Sequence, residues 1–262
     1  MAADTGYYRA TIESSVNPVT AGYLERSVQR AEDENAQALI LRLDTPGGLM
    51  DSMKDMTDAI LNAEVPVIVW VGPSGARAAS AGVFITYAAH RAAMAQGTRL
   101  GAAHPVSGGG QSMDETMEQK VTNDAVAQLR GLARKRGRNE DLADSFVRES
   151  VSLIAEEAHE KNVVDFLANS EIELLEKLDG EEIEMGEDRS VTLSSGPVQD
   201  LPMNAKENFL NVLVNPNLVY VLFILGLYGF IYEFAEPGLG LGLIVGGVCL
   251  LLALYGMSVL PL

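Results

Sequence analysis

The chain has little cysteine, little histidine and a marked shortage of basic charge. Its single cysteine, Cys249, lies in an apolar run, which excludes a disulfide framework and a thiolate metal site. Three scattered histidines (His90, His104 and His159) do not make a zinc motif, and no metal or organic cofactor is expected. With 19 Lys and Arg against 36 Asp and Glu, the net charge of −17 leaves no basic face for nucleic acid. The same balance excludes electrostatic attachment to anionic lipid. No Lys or Arg follows Lys206, so charge gives the tail no membrane orientation. The opening MAADTGYYRATIESS has neither a basic nor an apolar leader region, so the protein starts in the cytosol or a leader has already been removed.

Apolar residues make up 47% of the chain and are unevenly spread. Charge is absent from Asn208 to Tyr232 and again from Pro237 to Leu262. This pattern predicts a soluble domain over residues 1–203 and a membrane region over 204–262, with helices at about 216–235 and 239–260. Each helix matches the roughly 20 residues that cross a hydrocarbon core. The turn Glu233-Phe-Ala-Glu-Pro-Gly238 joins them into a hairpin, with Glu233 and Glu236 at the water interface.

Within the soluble part, apolar runs alternate with helical patterns. Strands are expected at 7–13, 38–43 and 65–71, with helices at 17–35, 49–62 and 78–89. A short strand at 99–104, a flexible loop at Gly108-Gly-Gly110, a helix over 113–136 and another over 155–161 follow. Residues 170–203 read as acidic and turn-rich, with a hairpin around Gly180 and Gly186. Strand–helix repeats with short loops define an α/β fold with a mostly parallel sheet and flanking helices.

Two glycine-rich turns, Asp44-Thr-Pro-Gly-Gly48 and Ala78-Ala-Ser-Ala-Gly82, each precede a helix. In a parallel α/β fold, sites collect at the carboxyl ends of strands. Glycine lets backbone N–H groups approach a ligand closely, so Gly48 and Ala81 are candidate oxyanion donors, with Gly47 shaping the turn. Small neighbours would let Ser80 present its hydroxyl from a tight turn; alone, such a serine is an ordinary helix cap.

Those turns, with Gly97-Thr-Arg-Leu-Gly-Ala-Ala-His-Pro105, Lys120-Val-Thr-Asn-Asp124, Arg136-Gly-Arg-Asn139, Ser152-Leu-Ile-Ala-Glu-Glu-Ala158 and Glu236-Pro-Gly238, resemble the NfeD family of membrane-bound ClpP-class proteases over essentially the whole chain. The resemblance implies a ClpP/crotonase-like domain ahead of the hairpin and a Ser–Lys dyad, with the peptidase domain extracytoplasmic. It also implies a stomatin/SPFH-family partner, whose hydrophobic C-terminal region is the substrate. Crotonase-like proteins assemble, so a homo-oligomer is expected.

A serine hydroxyl needs a proton acceptor; lysine serves when its charge is disfavoured by burial, and arginine does not. Of six lysines, Lys120 alone falls at the matching place, on the edge of the stripe Met117, Val121, Ala125, Leu129 and Leu132. The rival base is His104, in a segment resembling soluble ClpP peptidases. The stretch Val147-Arg-Glu-Ser-Val-Ser152 lacks the aspartate that would fix its tautomer. Glu156 and Glu157 read as a solvated helix face. Two other classes stay open: a non-catalytic scaffold for a stomatin-like partner, and an acyl-CoA enzyme, for which no basic phosphate site is visible.

Overall fold

The computed structural model describes residues 6–106, 114–186, 189–236, 238 and 240–259. They fall into two compact units, one running through Pro202 apart from Asn17–Val19, and the other made of Asn17–Val19 and the chain from Met203 onward.

The first unit opens with β1 (Tyr7–Ile12), α1 (Pro18–Asp33), β2 (Ala38–Leu43), α2 (Met50–Asn62) and β3 (Val67–Val71). Next come β4 (Arg77–Ala79), α3 (Ala81–Ala88), β5 (Arg91–Met94) and β6 (Arg99–Gly101). After the segment containing Gly108-Gly-Gly110, which lies outside the described residues, follow α4 (Glu115–Lys135), α5 (Leu142–Arg148), β7 (Ser152–Ile154), α6 (Ala155–Glu160) and β8 (Phe166–Leu167). The unit closes with α7 (Glu171–Leu178), β9 (Glu182–Glu184), β10 (Ser190–Thr192) and β11 (Val198–Asp200).

Strands β11-β1-β2-β3-β5-β8 form one sheet, every pair parallel. The sequence explains its centre: VIVWV in β3 is continuously apolar and ALILRL in β2 is broken only by the half-buried Arg42, as suits strands covered on both faces. Alternate residues Tyr7, Ala38, Ile40, Ile68, Trp70 and Ala93 pack on one face against Leu174 and Leu178 of α7 and Ile183 of β9. The region expected to be merely acidic and turn-rich therefore contains a helix. Its charged residues hide an apolar stripe, Leu174 and Leu178, at i and i+4. The expected hairpin does form, β9 pairing antiparallel with β10.

A second sheet, β4-β6-β7, stands apart from the first. Residues 78–89, read as one helix, split into the last two residues of β4, a turn at Ser80, and α3. Small residues suit either state, and pairing of Ala78 with Leu100 of β6 decides in favour of the strand. The predicted stripe on α4 is also only partly a core stripe. Ala125, Leu129 and Leu132 are buried, whereas Met117 is 48% exposed.

The second unit contains α8 (Ala205–Leu213), α9 (Pro216–Ala235) and α10 (Leu241–Val259). Asn215 caps α9 by accepting from the Asn217 N–H, with proline at the first helical position. Helix α9 is long and apolar enough to cross a membrane over Asn217–Ala235, and α10 is apolar throughout. The two pack through glycines. A Cβ on Gly229 would lie 2.8 Å from the Gly242 carbonyl oxygen, and one on Gly246 would lie 2.9 Å from that of Gly226. Where lipid is as apolar as leucine, such close approach drives helix pairing. Glu233 folds into the turn between them. Its carboxylate accepts from the N–H groups of Gly238, Gly240 and Gly242 at 2.9–3.0 Å, satisfying donors that the start of α10 leaves open.

Candidate active site

Strand β2 delivers the turn 44–48 at its carboxyl end, and main-chain bonds zip that turn to β4. Thr45 N–H donates to the Arg77 carbonyl at 2.7 Å, and Ala79 N–H donates to the Thr45 carbonyl at 3.1 Å. The Asp44 carboxylate accepts from Arg77 N–H at 3.0 Å, and the buried Thr45 hydroxyl accepts from Gly47 N–H at 3.1 Å. The two glycine-rich turns, 33 residues apart in sequence, are thereby brought into contact.

Ser80 sits where β4 becomes α3, with φ 53° and ψ −113°. A non-glycine residue in that region is strained and persists only where its surroundings hold it. Here its N–H is held by the Gly101 carbonyl at 2.9 Å, and its carbonyl accepts from Val83 N–H at 3.0 Å. Gly47, at φ +109°, lies directly against it: a Cβ there would be 2.5 Å from Ser80 Cβ and 3.1 Å from Oγ. Only glycine fits that place on both counts.

The candidate oxyanion donors are available. Gly48 pairs with Val16 in a parallel bridge whose bonds use the Gly47 carbonyl and the Leu49 N–H, so the Gly48 N–H faces the other way. Neither the Gly48 nor the Ala81 N–H donates to a protein acceptor among the described residues. Ala81 is the first residue of α3, where N–H groups are open and the helix dipole favours negative charge.

The candidate bases are placed less favourably. Lys120 is exposed on the second turn of α4 and, among the described residues, makes no hydrogen bond or ion pair. His104 Nδ1 lies 2.9 Å from the Val147 carbonyl, and Nε2 lies 3.5 Å from the Glu118 carboxylate. Both its nitrogens are thus turned to groups other than Ser80. With Glu115, Glu118, Gln119, Thr122 and Arg148 it lines a cavity of about 280 Å³. Glu156 and Glu157 occupy the first turn of α6, where Glu157 accepts from Ile154 N–H as a capping group. No cluster of His, Cys, Asp or Glu suited to a metal is found among the described residues.

Sequence reasoning missed a partly buried ionic joint behind α3, in which the buried Arg138 guanidinium pairs with Asp165 at 2.7 Å. The signal was present in Arg136-Gly-Arg-Asn139, but nothing local says that one of its arginines turns inward.

Strained serine, glycine-walled turn and open helix N-terminus stand on a scaffold also found in ClpP1 from Listeria monocytogenes, at a TM-score of 0.52 and 17% identity, over 63% of this chain and 94% of that one. The class is a ClpP-like domain joined to apolar helices. Residues 7–184 match the family described as NfeD1b, N-terminal domain, and residues 217–262 match the NfeD integral membrane domain. The chain belongs to the NfeD family and is an integral membrane protein. It is 36% identical over 256 residues to the membrane-bound protease PH1510 of Pyrococcus horikoshii, covering 96% of this chain and 58% of that protein. The chain thus spans less than two thirds of that relative's length. Its fold resembles a lysine-to-alanine mutant of the 1510-N membrane-bound stomatin-specific protease in complex with a substrate peptide, at a TM-score of 0.73 and 33% identity, over 81% of this chain and 98% of that one. A serine-to-alanine mutant of 1510-N matches at a TM-score of 0.71 and 33% identity, over 78% and 100%.

Proposed function

We propose that this chain is a membrane-anchored serine endopeptidase, with residues 1–203 as its peptidase domain and 204–262 as its membrane region. Ser80 is the nucleophile, Lys120 the general base, and the amides of Gly48 and Ala81, in a turn shaped by Gly47, form the oxyanion hole. The observation that carries this reading is Ser80 itself, held at φ 53° against a wall that only glycine can form. Strain of that kind collects at functional sites.

In the proposed reaction, Ser80 Oγ attacks the scissile carbonyl carbon while its proton passes to neutral Lys120 Nζ. The carbonyl π electrons move onto oxygen and are met by the two amides. Collapse breaks the C–N bond, and the lysine proton leaves with the amine. Water then attacks the acyl-serine ester, its proton going to Lys120, and collapse frees the acid and restores the serine. Lys120 stands exposed without substrate, and a bound apolar segment would cover it. Catalytic pairs are often loose until substrate closes them. The occupied nitrogens of His104 favour lysine over histidine.

The substrate proposed is an apolar segment of a membrane protein, the C-terminal region of a stomatin/SPFH-family partner. Support comes from the similar stomatin-specific protease, known as a serine-to-alanine mutant and as a lysine-to-alanine mutant holding a substrate peptide. Those are the two residue types placed in the dyad here. An extracytoplasmic peptidase domain and a homo-oligomer complete the proposal.

Cleavage of peptides spanning such a C-terminus tests it, read together with fluorophosphonate labelling. Ser80→Ala and Lys120→Ala should lose cleavage, Ser80→Ala should also lose labelling, and His104→Ala should keep both. Equal labelling of wild type and Ser80→Ala would remove the nucleophile; a dead His104→Ala beside an active Lys120→Ala would replace the base. The unassembled Ser80–Lys120 pair leaves one second reading, a scaffold for the same partner. Rescue of a deletion strain by the double Ser80→Ala, Lys120→Ala variant would favour it.

A further inference from the structure

Helix α4, which carries Lys120, ends in a Schellman turn. Arg138 N–H donates to the Ala133 carbonyl at 2.8 Å, Gly137 N–H donates to that of Arg134 at 3.4 Å, and Gly137 has φ +64°. This reversal sends the Arg138 side chain inward, where the residue is only 5% exposed in a chain of strongly acidic surface. Its Nη1 donates to the Tyr87 and Ala89 carbonyls at 3.1 and 2.8 Å. Its Nη2 donates to Asp165 Oδ2 at 2.7 Å, and the same oxygen accepts from Ala92 N–H of β5 at 2.7 Å. Arg136 Nε donates to the Ala88 carbonyl at 2.8 Å.

Three consecutive carbonyls, Tyr87, Ala88 and Ala89, are therefore held by two guanidinium groups from the end of α4. These belong to the acceptors that every helix leaves open at its carboxyl end. The helix they finish is α3, whose first residue follows Ser80 directly and whose eight residues are all buried. Eight residues span about 12 Å, so a shift at one end is felt at the other. Tyr87 adds a third tie, its hydroxyl donating to the Asn139 carbonyl at 3.2 Å.

We infer that Arg136 and Arg138 are positioning residues, which clamp the carboxyl end of α3 to that of α4 and so hold the helix that presents Ser80 and the Ala81 amide in register with the helix that carries Lys120. The catalytic consequence rests on the Ser–Lys reading above. An ordinary helix cap would ask only for positive charge, which lysine supplies. Reaching two carbonyls and a carboxylate at once requires the planar fork of arginine. The ion pair is buried on the arginine side, with Asp165 26% exposed, and such pairs add little stability over an apolar replacement.

Because lysine keeps the charge and loses the fork, Arg138→Lys in the full chain, in detergent micelles, is the diagnostic variant. Leu174→Ala is the control: it lies in the cluster beneath α7 and destabilises the same domain without touching the clamp residues. With a peptide spanning a hydrophobic stomatin-family C-terminus, Arg138→Lys should lower kcat by about tenfold or more while KM holds within about twofold. Leu174→Ala, at an equal or larger fall in Tm, should leave kcat nearly unchanged. Hydrogen exchange in Arg138→Lys should rise together across residues 81–90 and 115–135 and stay unchanged across 171–178. Unchanged kcat in Arg138→Lys, or losses of kcat that follow Tm equally in both variants, would overturn the inference. Should Arg138→Lys fail to fold, Arg136→Lys, which gives up only the Ala88 bond, is read by the same criteria. If wild type shows no Ser80-dependent cleavage, the dyad reading fails and exchange alone decides. A rise confined to residues 134–139 then rejects the clamp, and a joint rise in both helices sustains it.

Discussion

Replacing Gly47 by alanine adds one methyl group, and the structure says where it goes. The new Cβ would lie 2.5 Å from Ser80 Cβ, 3.1 Å from Ser80 Oγ and 3.2 Å from the Ala79 carbonyl oxygen. Ordinary contacts between such atoms begin near 3.5 Å, so something must move by about 1 Å. Ala79 is tied to Thr45 and Ser80 to Gly101 through the main chain, which leaves the Ser80 side chain and the 46–48 turn to give way. Overpacking costs about 1–3 kcal/mol, and positive φ on a residue with a Cβ adds about 1–2 kcal/mol. The sum, roughly 2–5 kcal/mol, should lower Tm by about 5–15 °C in a domain of this size. Displacing a nucleophile by about 1 Å costs on the order of a hundredfold in rate, about 2.7 kcal/mol of barrier. The assay is the rate of fluorophosphonate labelling well below the variant's Tm, beside a thermal melt. A Gly47→Ala protein that melts early but labels at the wild-type rate would refute the idea that this turn builds the environment of the proposed nucleophile. Gly75→Ala is the control: its Cβ would meet nothing, though it shares positive φ, so it should lose stability and keep its labelling rate.

Acid should destabilise the domain through His90. Its Nδ1 accepts from Val67 N–H at 3.1 Å, and burial, reinforced by Arg136, Arg138, Lys135 and Arg91, pushes the ring down to about 3. The unfolded chain takes up this proton near pH 6.5 and the folded chain does not, so the contribution is full above about pH 6.5 and is lost as pH falls towards 3. Between pH 7 and 5, urea melts of wild type should lose roughly 2 kcal/mol more than those of His90→Gln, which keeps an acceptor; equal losses would show that His90 is not the group. In the hairpin, Gly229→Val should split α9 from α10, because its side chain would meet the Gly242 backbone; resistance to unfolding by SDS should fall, and an unchanged midpoint would rule out glycine packing. Glu233→Ala frees three amides at the turn and should cost about 1.5–3 kcal/mol in the same titration, with Glu236→Ala near neutral.

Much of this molecule was legible before folding because its signals are local. Apolar runs, interrupted in β2 by Arg42 alone, gave β2 and β3, since a strand covered on both faces carries that local pattern. Uncharged stretches gave the two tail helices. The turns at Gly47-Gly48 and Ser80-Ala81 could be singled out only as a pair, each ahead of a helix; alone, Ser80 reads as a helix cap. What failed was also local in cause. Residues 78–89 read as one helix because alanine and glycine carry no periodicity with which to separate a strand from a helix. Helix α7 was lost among charges that occupy its outer face.

Tertiary structure alone decided the rest. Composition and pattern determined an α/β domain with a membrane tail, and fixed which residues were fit for nucleophilic chemistry. They could not say that Ser80 is forced to φ 53°, because that strain is imposed by Gly47 from 33 residues away and by the Gly101 carbonyl. Nor could they turn both His104 nitrogens away from the serine, since Val147 and Glu118 belong to other elements. The inward arginine is the plainest case. Arg134 and Arg138 carry the same side chain four residues apart, and one pairs with Glu140 at the surface while the other is buried against α3. The difference arises from the reversal at Gly137 and from three carbonyls that another helix left open.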